Sequence, residues 1–238
     1  HNFRVEIKRL RAFTRLMNAG KTGNKVKPGK KLEALYACTG TIRNLQLFIQ
    51  NVPKSCEKLE LLKPVSFLQV LNKELETEKA KALHLATRIS VKRSEEKMEQ
   101  GIPARLTPVK IQSFIETRYG RLSQLLALTV YHDEALHEMR KILKDFLYVW
   151  DFIDFYPTPV FYAGFLELQN IETLTEKLGD FHDLCMAIYY TGYTGKNHIN
   201  VADEATILGA LQNELTVQKK NLKEEILAIL YSEKHLAF

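Results

Sequence analysis

The chain has 238 residues, 45% hydrophobic and 26% charged, so it reads as soluble and globular, and neither disorder nor a collagen-like repeat fits. No run approaches the roughly 18 apolar residues of a membrane span. The first residues form a basic amphipathic segment without a signal peptide's apolar stretch, which gives the expectation of a cytoplasmic protein. Lys and Arg outnumber Asp and Glu by 34 to 28, a net charge of +6, yet residues 1–31 alone hold ten basic side chains against one acid, Glu6. The rest of the chain therefore sums to −3, and so one-sided a field points to a polyanionic partner.

Apolar residues recur at three and four almost throughout, and no alternating run is flanked by hairpin dipeptides. The expected fold is all-α, with seven long helices and no sheet. The first helix spans about Phe3 to Asn18, with Phe3, Ile7, Leu10, Phe13 and Met17 towards the core. Ala19 to Lys30, rich in Gly and Lys and containing Pro28, is expected as a mobile basic loop. A second helix, with Leu35, Cys38, Ile42, Leu45 and Ile49 on its core face, ends at Val52-Pro53. Pro64 opens a third, to about Arg88, and the polar stretch to Gly101 frays it. Thr107-Pro108 reads as an N-cap and first turn, opening a fourth helix to about Tyr131. The fifth runs from Asp133 to Phe155 and the sixth from Phe161 to Thr191, closed by a loop from Gly192 to Asn200. The seventh starts at Asp203 and reaches Tyr231. Cys38, Cys56 and Cys185 are odd in number and far apart, which leaves neither a disulfide framework nor a paired-cysteine zinc site.

Comparison of the chain with itself reveals a repeat. His1-x-x-Arg4-x-x-x-Lys8 returns as His137-x-x-Arg140-x-x-x-Lys144, and Gly40-x-x-Arg43-Asn44-Leu45 as Gly179-x-x-His182-Asp183-Leu184. Leu71-x-x-Glu74-Leu75-x-x-x-Lys79 returns as Leu211-x-x-Glu214-Leu215-x-x-x-Lys219. The separations, 39 and 42 residues and then 31 and 32, nearly agree. The expectation is an internal duplication: two related antiparallel helical bundles about a pseudo-two-fold axis, in a single domain of residues 1–131 and 132–238, with a basic central cavity or surface. The fourth helix has no counterpart after the seventh, so the second half is incomplete.

Helical geometry places the cations. His1, Arg4, Lys8, Arg11 and Arg15 share an arc of about 80°, roughly opposite the Phe3/Ile7/Leu10 face, and His137, Arg140, Lys141, Lys144 and Tyr148 share one of about 100°. Stacked like charges cost about 0.2–0.5 kcal/mol per i,i+4 pair, and the first stripe has no interleaved acid to offset this. Gly40 and Gly179, inside good helices, read as points of close helix approach. One turn on, Arg43 and His182 add donors at the edge of the basic site, and Lys79 and Lys219 add more from the third helix of each half.

These segments resemble the CHAD domain, the conserved histidine α-helical domain. The resemblance rests on the opening H-N-F-R-V-E-I-K-R-L-R, on L-H-E-M-R-K-I-L-K, and on T-G-T-I-R-N-L and L-G-D-F-H-D-L, in the family's order and over essentially the whole chain. It implies paired helical bundles with a basic cavity along the pseudo-two-fold, and binding of inorganic polyphosphate, with polyphosphate granules or polyphosphate-related enzymes as the setting. By position it carries the family's histidines onto His1 and His137, and its basic series onto Arg4, Lys8, Arg9 and Arg11 and onto Arg140, Lys141 and Lys144. The second stripe departs from the pattern at Leu147, which stands where a basic residue is usual, and at Asp145. Binding is therefore expected to lean on the first half.

Three other readings compete with a non-catalytic, cofactor-free polyphosphate binder. Nucleic acid offers the same charges, but single-strand binders add aromatic platforms, and the first stripe has none. A metal-dependent phosphohydrolase is suggested by His132-Asp133 and His182-Asp183, although the latter aligns with Arg43-Asn44 in the repeat. Glu134-x-x-His137 has the spacing of a di-iron ligand pair, in one copy where two are needed and beside Arg140 and Lys141. The third rival is an adaptor whose Lys21–Lys31 segment docks an acidic protein or an anionic membrane surface.

Overall fold

The computed structural model describes residues 2–21, 23, 25–89, 96, 98–103, 105–153, 168–198 and 202–236, with the side chains of 168, 193–198, 202–203 and 232–236 outside the description. Among the described residues there are seven helices and no strand: α1 (Asn2–Asn18), α2 (Lys30–Lys58), α3 (Val65–Thr87), α4 (Pro108–Leu126), α5 (Asp133–Ile153), α6 (Leu168–His198) and α7 (Ala202–Leu236). They form two compact units. The first draws its residues from 1–30, 90–179 and 225–238, the second from Lys31–Ile89 and Asp180–Glu224. Of the repeat pairs, Arg4 and Arg140 lie in the first unit, and Arg43 and His182, and Lys79 and Lys219, in the second, whereas Gly40 and Gly179 fall in different units.

In the first unit α1 packs on α4 and α5, and α4 packs on α5. The contact is made by residues at helical spacing, with Ile111, Ile115 and Leu122 of α4 and Leu136, Met139 and Leu143 of α5 all essentially excluded from solvent. Phe114 and Phe146 meet edge to face at 6.1 Å, a geometry that adds to their burial. Covered from two sides, α1 does not show the single core face expected of it. Ala12 and Leu16 are fully buried beside Ile7 and Met17, Phe3 is 37% exposed, and Leu10 and Phe13 are only half-buried.

The segment after α1 is tied down where a mobile loop was expected. The Asn18 side-chain amide donates to the Val26 carbonyl at 2.7 Å, and its oxygen accepts from the Val26 N–H at 2.8 Å. Val26 and Pro28 are buried while Lys25 and Lys27 face outward, so the apolar residues hold a basic strap against the unit.

The second unit is built on α2, α3, the later part of α6 and the earlier part of α7. Its core joins Leu45, Phe48, Val52 and Cys56 of α2 to Phe67 and Leu71 of α3, Tyr190 of α6 and Leu208 and Leu211 of α7. This core explains why α2 does not stop at Pro53. Proline removes one helical donor, but Val52 at 2% exposure and Cys56 at 0% anchor the next turn, and burial of such side chains is worth about 1.5–3 kcal/mol each. Nor does α6 end at Gly192: a Cβ there would lie 3.3 Å from Gln212 Nε2, so the glycine permits a close neighbour and the helix continues to His198. The expected end of the fifth helix at Phe155 and start of the sixth at Phe161 lie outside the described residues. Helix α4 closes at Leu126, before the expected Tyr131, and the Thr107 hydroxyl makes no capping bond. Helix α7 begins one residue before Asp203, which falls in its first turn.

Two helix ends are finished by specific contacts. At the end of α2 the N–H of Leu61 donates to the Cys56 carbonyl at 2.8 Å and that of Glu60 to the Glu57 carbonyl at 3.2 Å, a Schellman pattern. It forces Glu60 to a φ of 55°, the left-handed region that costs a side-chain-bearing residue free energy. The N-terminus of α3 follows Pro64, which offers no side-chain cap. Its donors are met from α7, where the Glu204 carboxylate accepts from Ser66 N–H at 2.8 Å and Phe67 N–H at 3.0 Å. Burial alone would raise the pKa of Glu204, but these backbone bonds outweigh it and hold the carboxyl below its ordinary range.

Replacing Glu60 with Gly is expected to stabilise the chain by about 0.5–1 kcal/mol, read as a higher denaturation midpoint. An unchanged or lower midpoint would show that the turn is unstrained. Because Glu204 has a lowered folded value, its contribution is present above the ordinary glutamate pKa of 4.5 and is lost as pH falls through that lowered value. Glu204→Gln should therefore cost about 1–2 kcal/mol at pH 7 and progressively less in acid. A cost that does not shrink with pH would refute the charge-based cap.

Candidate functional site: cationic helices of the first unit

The first unit contains nine of the sequence-predicted residues: Arg4, Lys8, Arg9, Arg11 and Arg15 on α1, and His137, Arg140, Lys141 and Lys144 on α5. His1 lies outside the described residues. Arg9 and Lys141 are exposed and the other seven are half-buried. Partial burial suits long cationic side chains, whose methylene stems cover apolar surface while the charged ends reach solvent.

The one acid of α1, Glu6, lies outside the arc of Arg4, Lys8, Arg11 and Arg15 and pairs with Arg9. Arg9 Nη1 lies 3.0 Å from Glu6 Oε1, one turn earlier, with both side chains more than half exposed. Such a pair contributes about 0–1 kcal/mol and leaves Arg9 facing solvent. Arg15 is held more firmly. Its Nη1 donates to Oδ1 of Asp145 on α5, while Arg118 Nε of α4 stands 3.4 Å from the other carboxylate oxygen. Asp145 is 4% exposed, so one buried carboxylate ties three helices together.

Charge balance around Asp145 is close. Burial pushes its carboxyl above the ordinary aspartate range, opposed by Arg15, Arg118 and then Arg11. Burial likewise lowers the Arg118 pKa, with Asp145 opposing it. Arg118 could have been recognised from sequence, because it falls on the apolar face formed by Ile111, Phe114, Ile115 and Leu122, with its guanidinium 5.8 Å from the centre of the Phe114 ring. An arginine on a core face calls for a buried anion. On α5 Asp145 stands about 40° around the helix from Lys141, so the two cationic arcs adjoin at the Arg15–Asp145 contact.

On α5 the positive charges crowd one another. Burial, then the neighbouring Arg140, holds the Lys144 ammonium below the ordinary lysine range, with Glu176 and Glu172 of α6 pulling the other way. Arg140 passes Gly179, whose Cβ position would lie 3.7 Å from Nε and Nη2. What Gly179 meets is thus a guanidinium, where close helix approach was expected. Arg140 Nε is buried with no hydrogen-bond partner.

The remaining four predicted residues belong to the second unit. Arg43 is exposed and His182 half-buried. Lys79 bonds Glu76 on its own helix at 2.7 Å, and Lys219 Nζ stands 5.7 Å from the centre of the Phe181 ring. Among the described residues no three His, Cys, Asp or Glu side chains come together as metal ligands, and no helix is long and apolar enough to cross a membrane.

Removing the shared anion should show how far these helices depend on it. Asp145→Ala is expected to cost about 2–3 kcal/mol in chemical denaturation, less than the full buried-pair penalty because the Arg15 side chain keeps 38% of its exposure. A loss below about 0.5 kcal/mol would mean that the contact holds nothing. In comparisons with known proteins, no curated protein and no solved structure matches the chain. The CHAD domain matches over residues 1–190, which takes in both cationic helices, the Asp145 anchor and Gly179. The chain therefore belongs to the CHAD domain family.

Proposed function

We propose that this chain binds inorganic polyphosphate through the cationic faces of α1 and α5, without catalysing a reaction. The observation that carries the reading is the direct packing of α1 on α5 within one unit, their basic arcs adjoining at Asp145. Family membership supports it, since CHAD domains are associated with this ligand.

Polyphosphate offers about one negative charge per repeating unit, no bases and little apolar surface. Its recognition needs many donors, and guanidinium forks supply paired hydrogen bonds to phosphate oxygens. Arg4, Arg11 and Arg140 provide forks, while Lys8, Lys141 and Lys144 provide point charges. An anion beside Lys144 would also oppose the burial and the Arg140 repulsion that lower its pKa. Binding should therefore raise the Lys144 pKa and, at the pH where that ammonium titrates, draw in a proton.

The test is a double substitution away from the Asp145 anchor. Arg4→Gln with Lys8→Gln should weaken long-chain polyphosphate at least tenfold, about 1.4 kcal/mol, with the helical circular dichroism retained. Affinity should fall steeply with added salt through counterion release. Unchanged affinity in the double variant removes α1 from the site. Tighter binding of single-stranded or duplex DNA in competition at fixed salt would put nucleic acid first. Phosphate release from polyphosphate with Mg²⁺ or Mn²⁺, abolished by Asp183→Ala, would replace binding with catalysis.

A further inference from the structure

A concave feature lies wholly within the second unit. Between α2, α6 and α7 there is a pocket of about 440 Å³, within the range of small-molecule sites. Its base is apolar. Phe48 and Tyr190 stack with ring centroids 5.6 Å apart and planes inclined by 21°, beside Val52 and Leu211 at 2% and 1% exposure.

The rim carries both signs of charge. Lys54 and Lys58 come from α2, Asp180 and Asp183 from α6, and all four are exposed; Lys58 Nζ also stands 3.8 Å from Glu214 Oε1 of α7, which leaves Lys54 as the principal cation of the rim. Spacings of four and three residues put each pair on one face of its helix. The segments singled out by self-similarity converge here: Asn44 and Asp183, which correspond in the repeat, both line the pocket, and so does Leu211 of the third signature.

This arrangement suits neither a polyanion nor a metal. Two carboxylates repel a phosphate chain, and two ammonium groups repel a cation held by the aspartates alone. Opposite charges on different helices above an aromatic base match a molecule carrying both signs. We propose that the second unit binds a small zwitterion, with one ammonium group and one carboxylate or phosphate-type group on an apolar body. The ammonium is held by Asp180 and Asp183, the acid group by Lys54 with Lys58 beside it, and the body rests on Phe48 and Tyr190. This site is separate from the polyphosphate reading and does not rest on it.

Titration calorimetry on the whole chain tests it with four probes of one shape: L-tryptophan, its phosphonate analogue, tryptamine and indole-3-propionate. L-Tryptophan or its phosphonate should bind at least tenfold more tightly than either singly charged relative, and the better of the two identifies the acid group. Asp183→Asn should weaken the zwitterion at least fivefold and spare indole-3-propionate; Lys54→Gln should weaken the zwitterion and spare tryptamine. Both variants should keep their circular dichroism and their polyphosphate affinity, which separates this site from the cationic helices. Equal binding of tryptamine or indole-3-propionate, binding of none of the four, or zwitterion affinity indifferent to both variants overturns the proposal.

Discussion

The carboxylate of Asp145 is the point on which the first unit depends. Two arginines from different helices reach it, and neither would be stable beside α5 without an anion there. An ion buried in a protein interior loses several kcal/mol of hydration, recovered only if its partners are close and well aligned. Here the cost is divided, because Arg15 remains partly exposed and Arg118 lies over an aromatic ring. Asp145 thereby fixes the rotation of α5 against α1, and with it the direction in which Arg140, Lys141 and Lys144 project. Asp145, a departure from the basic pattern of the second stripe, is thus the residue that joins the two cationic helices.

Arg15 and Arg118 use their charge within the fold. Arg4, Lys8, Arg11, Arg140, Lys141 and Lys144 share α1 and α5 with that contact, and burial, with repulsion from Arg140 second, holds the Lys144 ammonium below the ordinary lysine range. A flexible anion with many equivalent oxygens can engage such a surface in several registers, which favours long chains over single phosphates through effective concentration. The second unit is organised otherwise, with carboxylates placed among its lysines and an aromatic base beneath them.

Local regularities were readable from the sequence and long-range ones were not. The bounds of α1 and α3, the cationic arcs and the family signature all depend on residues within one or two turns, where helical periodicity translates spacing directly into direction. The contact between Arg15 and Asp145 spans 130 residues, and no periodic pattern encodes it. Asp145 drew notice as a departure from the family's basic series, but its role required the packing of α4 against α5. Pro53 and Gly192 misled for a related reason. Each weakens a helix locally: at Pro53 burial of Val52 and Cys56 overrides the local preference, whereas at Gly192 the helix continues and the glycine leaves room for Gln212. The strap at Val26 reads as loose because Gly and Lys dominate its composition, while a single amide, Asn18, pins it.

The cap supplied by Glu204 has a consequence for synthesis on the ribosome. The first turn of α3 is completed by a side chain 138 positions farther along the chain, and Leu208 and Leu211, also late in sequence, help to form the core that α3 faces. Contacts of such high sequence separation form only after long loops close. A nascent chain that has released α2 and α3 must therefore hold them, with Phe67 and Leu71 uncovered, until α7 emerges from the exit tunnel. Over that interval the exposed apolar turns are natural targets for a holding chaperone, and the second unit can mature only after α7 has been made.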